Sequence, residues 1–175
     1  MSSKSPLGFS ITNLHGKIFH FVGIGGCGMS GLARLIARLG ANVQGTDSNN
    51  SSVTDSLLQE GIPVSLIQDG STIDSGIDVI VHSAAIPPDH PEINRGDSLE
   101  IPVISYAQML GLVQTQHTGI CIAGTHGKST TVSLLSSILL HVEMDPSFIV
   151  GAYCNQIGGS SRVGSQIIPS GPLKG

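Results

Sequence analysis

Tryptophan is absent from this sequence, aromatic residues make up only 3% of it, and charged residues only 11%. Scarce aromatics call for a core built mainly from aliphatic side chains, because hydrophobic residues still reach 39%. That apolar share with so little charge excludes a charged disordered chain, which cannot bury enough surface to offset its ordering entropy. Basic residues are few: eight Lys and Arg, thinly spread, against twelve Asp and Glu, for a net charge of −4. With no basic patch, neither nucleic acid nor an anionic membrane surface is an expected partner. The three cysteines, Cys27, Cys121 and Cys154, form no CxxC pair, which argues against a local zinc site. Their odd number and dispersal fit reduced thiols and a cytoplasmic protein. Residues 1–16 lack the apolar segment of a secretory signal. The longest apolar stretch, residues 132–142, is interrupted by Ser133, Ser136, Ser137 and His141 and is too short and polar to span a bilayer. The 23 glycines have no three-residue period, which excludes collagen.

What is present is an alternation of short β-rich runs with amphipathic helical segments. Strands are predicted at residues 18–23, 41–46, 63–67, 78–82 and 101–105, with helices at 29–39 and 53–60 and another running from the fifth strand to Val113. Strand–helix alternation means βαβ units, and hence an α/β fold with a parallel, Rossmann-like sheet. A polar linker, residues 114–118, precedes a second start: a strand at 119–123, a helix from about Lys128 to Val142, and a strand beginning at 147–150. Residues 155–175 show no convincing periodic element. With 175 residues, this reads as one domain and the beginning of another. The expected division is a polar tail at 1–16, a nucleotide-binding domain at 17–115, and an incomplete P-loop ATP-binding domain at 116–175.

Two glycine loops carry the chemistry. Gly23, Gly25 and Gly28 fit GxGxxG between a predicted strand and a predicted helix. Glycine tolerates the tight turn and lets backbone approach a pyrophosphate, which the helix N-terminus then receives with free N–H groups. Asp47, at the end of the second strand, is placed to accept from a ribose hydroxyl, or else to cap a turn. The competing reading of the loop is a glycine turn needed only for strand–helix packing. NAD, FAD and a UDP-sugar all carry the pyrophosphate, and the motif does not choose among them.

The second loop, Gly124-Thr125-His126-Gly127-Lys128-Ser129-Thr130-Thr131, ends like a Walker A loop, although the usual first glycine would fall at Ile122. Its backbone N–H groups form an anion nest, Lys128 can reach β- and γ-phosphates, and the Ser129 hydroxyl can ligate Mg2+. No other lysine lies between Lys17 and Lys174, so this one is not casual surface charge. His126 touches phosphate or substrate, or is simply a solvated loop residue. His20, inside an apolar run, reads as a buried strand residue with a satisfied side chain.

Together the loops resemble the Mur ligases of peptidoglycan synthesis. The family's HFVGIGGxGMSG signature is matched from His20 to Gly31 by HFVGIGGCGMSG, and its GTHGKT[ST]T loop by GTHGKSTT, where Ser129 keeps the hydroxyl of the usual Thr. Further matches are GTD at 45–47, SAAI at 83–86 and IPVISYAQML at 101–110. The resemblance implies that UDP-N-acetylmuramate is held by Gly25, Gly26, Cys27, Gly28, Met29 and Ser30, with Asp47 and Ser83 on the same crevice. It implies that ATP is held by Gly124, Thr125, His126, Gly127, Lys128, Ser129 and Thr130, with Lys128 as the catalytic cation and Ser129 on Mg2+. In such ligases ATP phosphorylates the muramoyl carboxylate, and an amino acid's amine attacks the acyl phosphate. His126, where the relatives adding later residues usually carry Asn, points to the branch that adds L-alanine, or to the ligase that returns a tripeptide to the same sugar. The composition of the first loop favours the former.

The resemblance covers residues 17–164, including Asn155 and Arg162, and then breaks: residues 165–175 read SQIIPSGPLKG where the family has an acidic, metal-binding segment. The chain is therefore expected to be a truncated, N-terminal portion that is inactive alone, with most of the L-alanine site in the missing part. The competing class is a nucleotide-binding module or pseudoenzyme without ligase activity. A nicotinamide oxidoreductase is disfavoured, because it has no use for a γ-phosphate cradle. Oligomeric state is not readable from these features.

Overall fold

The computed structural model describes Leu7, Ile11, residues 14–115 and residues 117–164. A five-stranded parallel sheet forms its centre, in the order β3-β2-β1-β4-β5. The strands are β1 (Ile18–Val22), β2 (Asn42–Thr46), β3 (Val64–Ser65), β4 (Val79–His82) and β5 (Val103–Ser105). Helices α1 (Cys27–Arg38), α2 (Ser52–Gln59), α3 (Pro91–Ser98) and α4 (Tyr106–Gln114) connect or follow them. The chain builds outward from β1 through β2 to β3, then returns to the other side of β1 for β4 and β5. The loops after β1 and β4 therefore diverge and open a crevice at the strands' C-terminal ends, where such sheets bind ligands.

Side-chain alternation along β1 sorts its residues between two faces. Phe19 and Phe21 enter the larger core with Val43, Val79, Val81 and Ile104, covered by Leu32 and Ile36 of α1 and Met109 and Val113 of α4. Val22 and Ile80 face the other way and pack with Ile73, Ile77 and Ile101. His20 shares that second face and is buried. Among the described residues the buried hydrophobic core holds three aromatic side chains, Phe19, Phe21 and Phe148; the rest are aliphatic or methionine, as the composition requires. Within the stretch read as a polar tail, Leu7, Ile11 and Leu14 are also buried in the larger core.

Beyond α4 come α5 (Lys128–His141), β6 (Phe148–Cys154), a 3-10 turn at Asn155–Ile157 and β7 (Gly159–Arg162), with β6 and β7 antiparallel. Ile149 and Val163 pack against the larger core, and the hairpin approaches α1 so closely that a Cβ on Gly31 would lie 2.7 Å from Cβ of Ser161. No described helix is long and apolar enough to cross a membrane.

The parallel α/β sheet matches the sequence pattern. Three features do not. Residues 119–123 form no strand: no described strand lies beside them to complete a ladder, and Ile120 is 64% exposed. An extended apolar run becomes a strand only when a neighbour satisfies its backbone. The strand expected at 119–123 is thus not formed among the described residues, while β6, within which residues 148–150 lie, pairs instead with β7. Residues 155–162, read as aperiodic, instead form the turn and β7, which β6 templates. Helix α3 was not foreseen, because PEINRGDS carries almost no apolar stripe; Pro91 starts it and Gly96 lets it meet the sheet, since a Cβ there would lie 2.4 Å from Ile80 Cδ1. Residues 165–175 lie outside the described residues.

Gly45 sits in β2 against the backbone of β1, and a Cβ would come within 2.4 Å of the Phe21 carbonyl oxygen. Gly111, inside α4, has nothing within 4 Å of its Cβ position. In chemical denaturation Gly45→Ala is expected to lower stability by about 2 kcal/mol or more, by overpacking. Gly111→Ala should raise it by about 0.5–1 kcal/mol, because alanine loses less backbone freedom in a helix.

Candidate functional site

The loop between β1 and α1 is held from below by β2. The Thr46 carbonyl accepts from the N–H groups of Gly23 (2.8 Å) and Ile24 (2.9 Å). Gly23 turns the chain with φ +79°, a conformation that favours glycine. At Gly25 a Cβ would meet Asp47 Oδ2 at 2.8 Å, and at Gly28 it would meet the Tyr106 hydroxyl at 2.9 Å. The three glycines of the motif thus serve three needs: a turn, a close approach to Asp47, and contact with α4. Burial pushes the Tyr106 hydroxyl above its ordinary pKa, so it stays a neutral group against the loop. Helix α1 begins after Gly26 with no side-chain cap and no acidic residue in its first turn. Its first N–H groups and the positive end of its dipole are therefore available to an anion.

A cavity of about 350 Å3 lies above this loop, at the strand-order switch. Gly25, Gly26, Asp47 and Ser83 line it, as do Ala85 and Ile86 of the loop after β4. Asn49, Ser51 and Gln68 also line it, and sequence reasoning missed them. Their signal was position: each follows the C-terminal end of β2 or β3. Met29 and Ser30 do not line the cavity. Met29 is part of the core, and Ser30 is buried with its hydroxyl donating to the Cys27 carbonyl at 3.2 Å. Cys27 and Gly28 contribute backbone at the helix start and are not among the lining residues.

Asp47 is bound into the loop as well as facing the cavity. Its Oδ2 accepts from Gly25 N at 2.8 Å and its Oδ1 from Asn49 N at 3.1 Å. Both possibilities raised by its position are compatible with this geometry, since each carboxylate oxygen retains a second acceptor site.

Beneath the loop runs a buried polar network. Glu92 of α3 is fully buried and accepts from Thr46 Oγ1 (2.6 Å), Thr72 Oγ1 (3.0 Å) and His20 Nε2 (3.1 Å). His20 is thus a satisfied strand residue, as its setting suggested, and its partner comes from the helix the sequence did not reveal. Burial pushes the Glu92 carboxyl up, but the hydrogen bonds from His20, Thr46 and Thr72 outweigh it and hold the group below its ordinary value.

The second loop lies on the surface and opens α5. Gly127 adopts φ +78° as N-cap, again without a side-chain cap, and Gly124 has φ +158°. The Lys128 ammonium folds back over the loop onto the carbonyls of Gly124 (2.5 Å) and Thr125 (3.3 Å). Thr131 Oγ1 donates to the Gly127 carbonyl at 2.9 Å, securing the first turn. Ser129 and Thr130 line a second cavity, of about 400 Å3, between α5 and β6, whose wall includes Ser133, Tyr153 and Cys154. The Ser133 hydroxyl beside Cys154 holds that thiol below its ordinary pKa. His126 is exposed.

A parallel sheet with a glycine loop and a cavity at its strand-order switch, followed by a second glycine loop opening a lysine-bearing helix, defines a Rossmann-like α/β protein with two loops of the kind that suit phosphate. Comparison with known proteins narrows this class. The family described as "Mur ligase family, catalytic domain" matches residues 18–118, and the chain belongs to the Mur ligase family. It is 46% identical over 146 residues to the UDP-N-acetylmuramate–L-alanine ligase of Lachnospira eligens, covering 83% of this chain and 32% of that protein. It is 42% identical over 149 residues to the enzyme of that name from Methylibium petroleiphilum, covering 85% and 32%. Among solved structures it resembles the UDP-N-acetylmuramate–alanine ligase of Thermotoga maritima, with a TM-score of 0.75 and 28% identity over 86% of this chain and 35% of that one. It also resembles the UDP-N-acetylmuramate:L-alanyl-γ-D-glutamyl-meso-diaminopimelate ligase of Neisseria meningitides, with a TM-score of 0.76 and 30% identity over 86% and 48%. The chain spans about a third of the length of the curated relatives it matches.

The Glu92 network generates an acid-stability expectation. Its folded-state pKa lies below the ordinary 4.5, so its contribution is present above that value and is lost as pH falls through the lowered folded value. Glu92→Gln should cost about 1–3 kcal/mol at neutral pH. It should also lose less stability than the wild type on acidification, so that the two Tm-versus-pH curves converge.

Proposed function

We propose that this chain binds UDP-N-acetylmuramate at its first glycine loop and Mg-ATP at its second, and serves the ATP-dependent ligation of L-alanine to the muramoyl carboxylate. One observation carries the reading: the cavity at the strand-order switch is lined by Gly25, Gly26, Asp47 and Ser83, four of the residues that the family motif assigns to the sugar nucleotide. Here the pyrophosphate lies against the uncapped start of α1, where N–H dipoles rather than side-chain cations meet its charge. The ribose lies on the Asp47 side, where a carboxylate accepts hydroxyl protons.

The second loop fits a triphosphate. Its helix N-terminus is uncapped, its ammonium already lies over the loop, and the Ser129 hydroxyl borders an open cavity. When bound, ATP supplies the phosphoryl group that activates the carboxylate. Lys128 neutralises charge at the β- and γ-phosphates and orients them. Among the described residues no cluster of three or more His, Cys, Asp or Glu is placed to hold a metal ion. The Ser129 hydroxyl would be one ligand of Mg2+, which would supply charge neutralisation at the β- and γ-phosphates. No described carboxylate or general base is assigned to the incoming amine. Ligation of a tripeptide is the second reading, favoured by the solved structure from Neisseria meningitides. The L-alanine ligases at 42–46% identity favour the first.

Titration calorimetry tests the sugar-nucleotide site. UDP-N-acetylmuramate should bind and NAD should not. Gly25→Val should abolish binding, because a branched side chain would occupy the approach to Asp47, where Cβ alone comes within 2.8 Å. Binding unaltered by that change would exclude the loop as the pyrophosphate site.

For the second site, Lys128→Ala should weaken Mg-ATP binding about tenfold or more, the worth of a charge-assisted hydrogen bond. Ser129→Thr, which keeps the hydroxyl, should leave it unchanged. Equal affinities for wild type and Lys128→Ala would remove the lysine from the phosphate site.

A further inference from the structure

The Glu92 network reaches the sugar-nucleotide cavity through one side chain, Gln68, whose Nε2 lies 3.1 Å from Thr46 Oγ1. The proton positions along this path follow from the charge at its buried end. An ionised carboxylate only accepts, so Thr46, Thr72 and His20 must each donate to Glu92. The single hydroxyl proton of Thr46 is then committed, and its oxygen can only accept from Gln68. Gln68 must therefore turn its NH2 toward Thr46, which leaves its carboxamide oxygen, unpartnered among the described residues, for the cavity. On the opposite side, His20 Nε2 donates to Glu92, and its Nδ1 lies 3.4 Å from Gln44 Nε2. One buried negative charge thus sets the direction of the hydrogen bonds that run from Glu92 through Thr46 to Gln68. A neutral amide in its place could donate to Thr46, release the hydroxyl proton toward Gln68, and let the Gln68 amide turn over.

We propose that Glu92 is a positioning residue for the nucleotide: through Thr46 it holds Gln68 with its amide oxygen toward the cavity, as acceptor for a hydrogen-bond donor of the ligand. This rests on the reading that a uridine nucleotide occupies that cavity. Two groups of such a ligand supply the donor, the imide N–H of uracil and a ribose hydroxyl. CDP keeps the hydroxyls and lacks the imide N–H, whereas 2′-deoxy-UDP keeps the imide and lacks a hydroxyl.

The test is a calorimetric double-mutant cycle on the full chain with UDP as probe, with a thermal melt of each variant. Gln68→Ala should weaken UDP binding about tenfold. Glu92→Gln should weaken it severalfold, and Glu92→Gln with Gln68→Ala should bind no worse than Gln68→Ala alone. Whichever of CDP and 2′-deoxy-UDP the wild type discriminates against, Gln68→Ala and Glu92→Gln should both erase that preference. A purely structural role for Glu92 would leave it intact. If Glu92→Gln does not fold, Thr46→Val, which removes only the hydroxyl relay, must show the same non-additivity with Gln68→Ala. Losses that multiply in the double variant would overturn the role of Glu92. An unchanged affinity in Gln68→Ala would overturn it while leaving the nucleotide site standing. Failure of the wild-type chain to bind UDP would overturn both.

Discussion

Thr46 is the joint between the glycine loop and the interior of the sheet. Its carbonyl holds Gly23 and Ile24 at 2.8 and 2.9 Å, and its hydroxyl donates to the buried Glu92 carboxylate at 2.6 Å. The residue is itself fully buried, so neither bond is shared with bulk solvent. A hydrogen bond to a charged group in such a place is worth more than a neutral one, and breaking it would leave an unpaired buried charge. Loop, strand end and helix α3 are therefore coupled: the position of the first glycine loop depends on a helix that packs on the opposite face of the sheet.

On the proposed function the two loops meet anions by different means, and the composition explains why. With only eight Lys and Arg in the chain, charge compensation at the first loop relies on backbone dipoles at the start of α1. A pyrophosphate inside a rigid crevice suits that arrangement. The second loop lies in the open on α5, where dipoles are weakened by solvent. There a full charge is supplied, and Lys128 is already held above the loop by the Gly124 and Thr125 carbonyls. A net charge of −4 does not by itself oppose the anion binding proposed, because short-range contacts outweigh the overall charge.

What was legible in the sequence, and what was not, follows from the range of the forces involved. The strands of the first sheet, its helices α1, α2 and α4, and the glycines of both loops are local or periodic features, and they stand where the pattern put them. Asp47 was found because it ends a strand, and Ser83 through the family resemblance at the loop after β4. Met29 and Ser30 belong to the same motif, but the helical turn directs them into the core, which a linear motif does not display. Helix α3 has almost no apolar stripe; tertiary contacts of Glu92 and Gly96 hold it in place. Residues 119–123 show the converse, a strand-like run with no strand among the described residues to pair with. Gln68 became visible only when β3 placed it beside Thr46.

The central claim is that one chain carries two separate nucleotide sites, each at the start of a helix. Backbone amide chemical shifts, followed by NMR during titration with UDP-N-acetylmuramate and then with Mg-ATP, test it most directly. The sugar nucleotide should move the amides of Gly25, Gly26, Cys27 and Gly28 and leave Gly127, Lys128 and Ser129 in place, and Mg-ATP should do the reverse. A sugar nucleotide that moves none of the amides from Gly23 to Gly28, or two ligands that perturb the same loop, would contradict it.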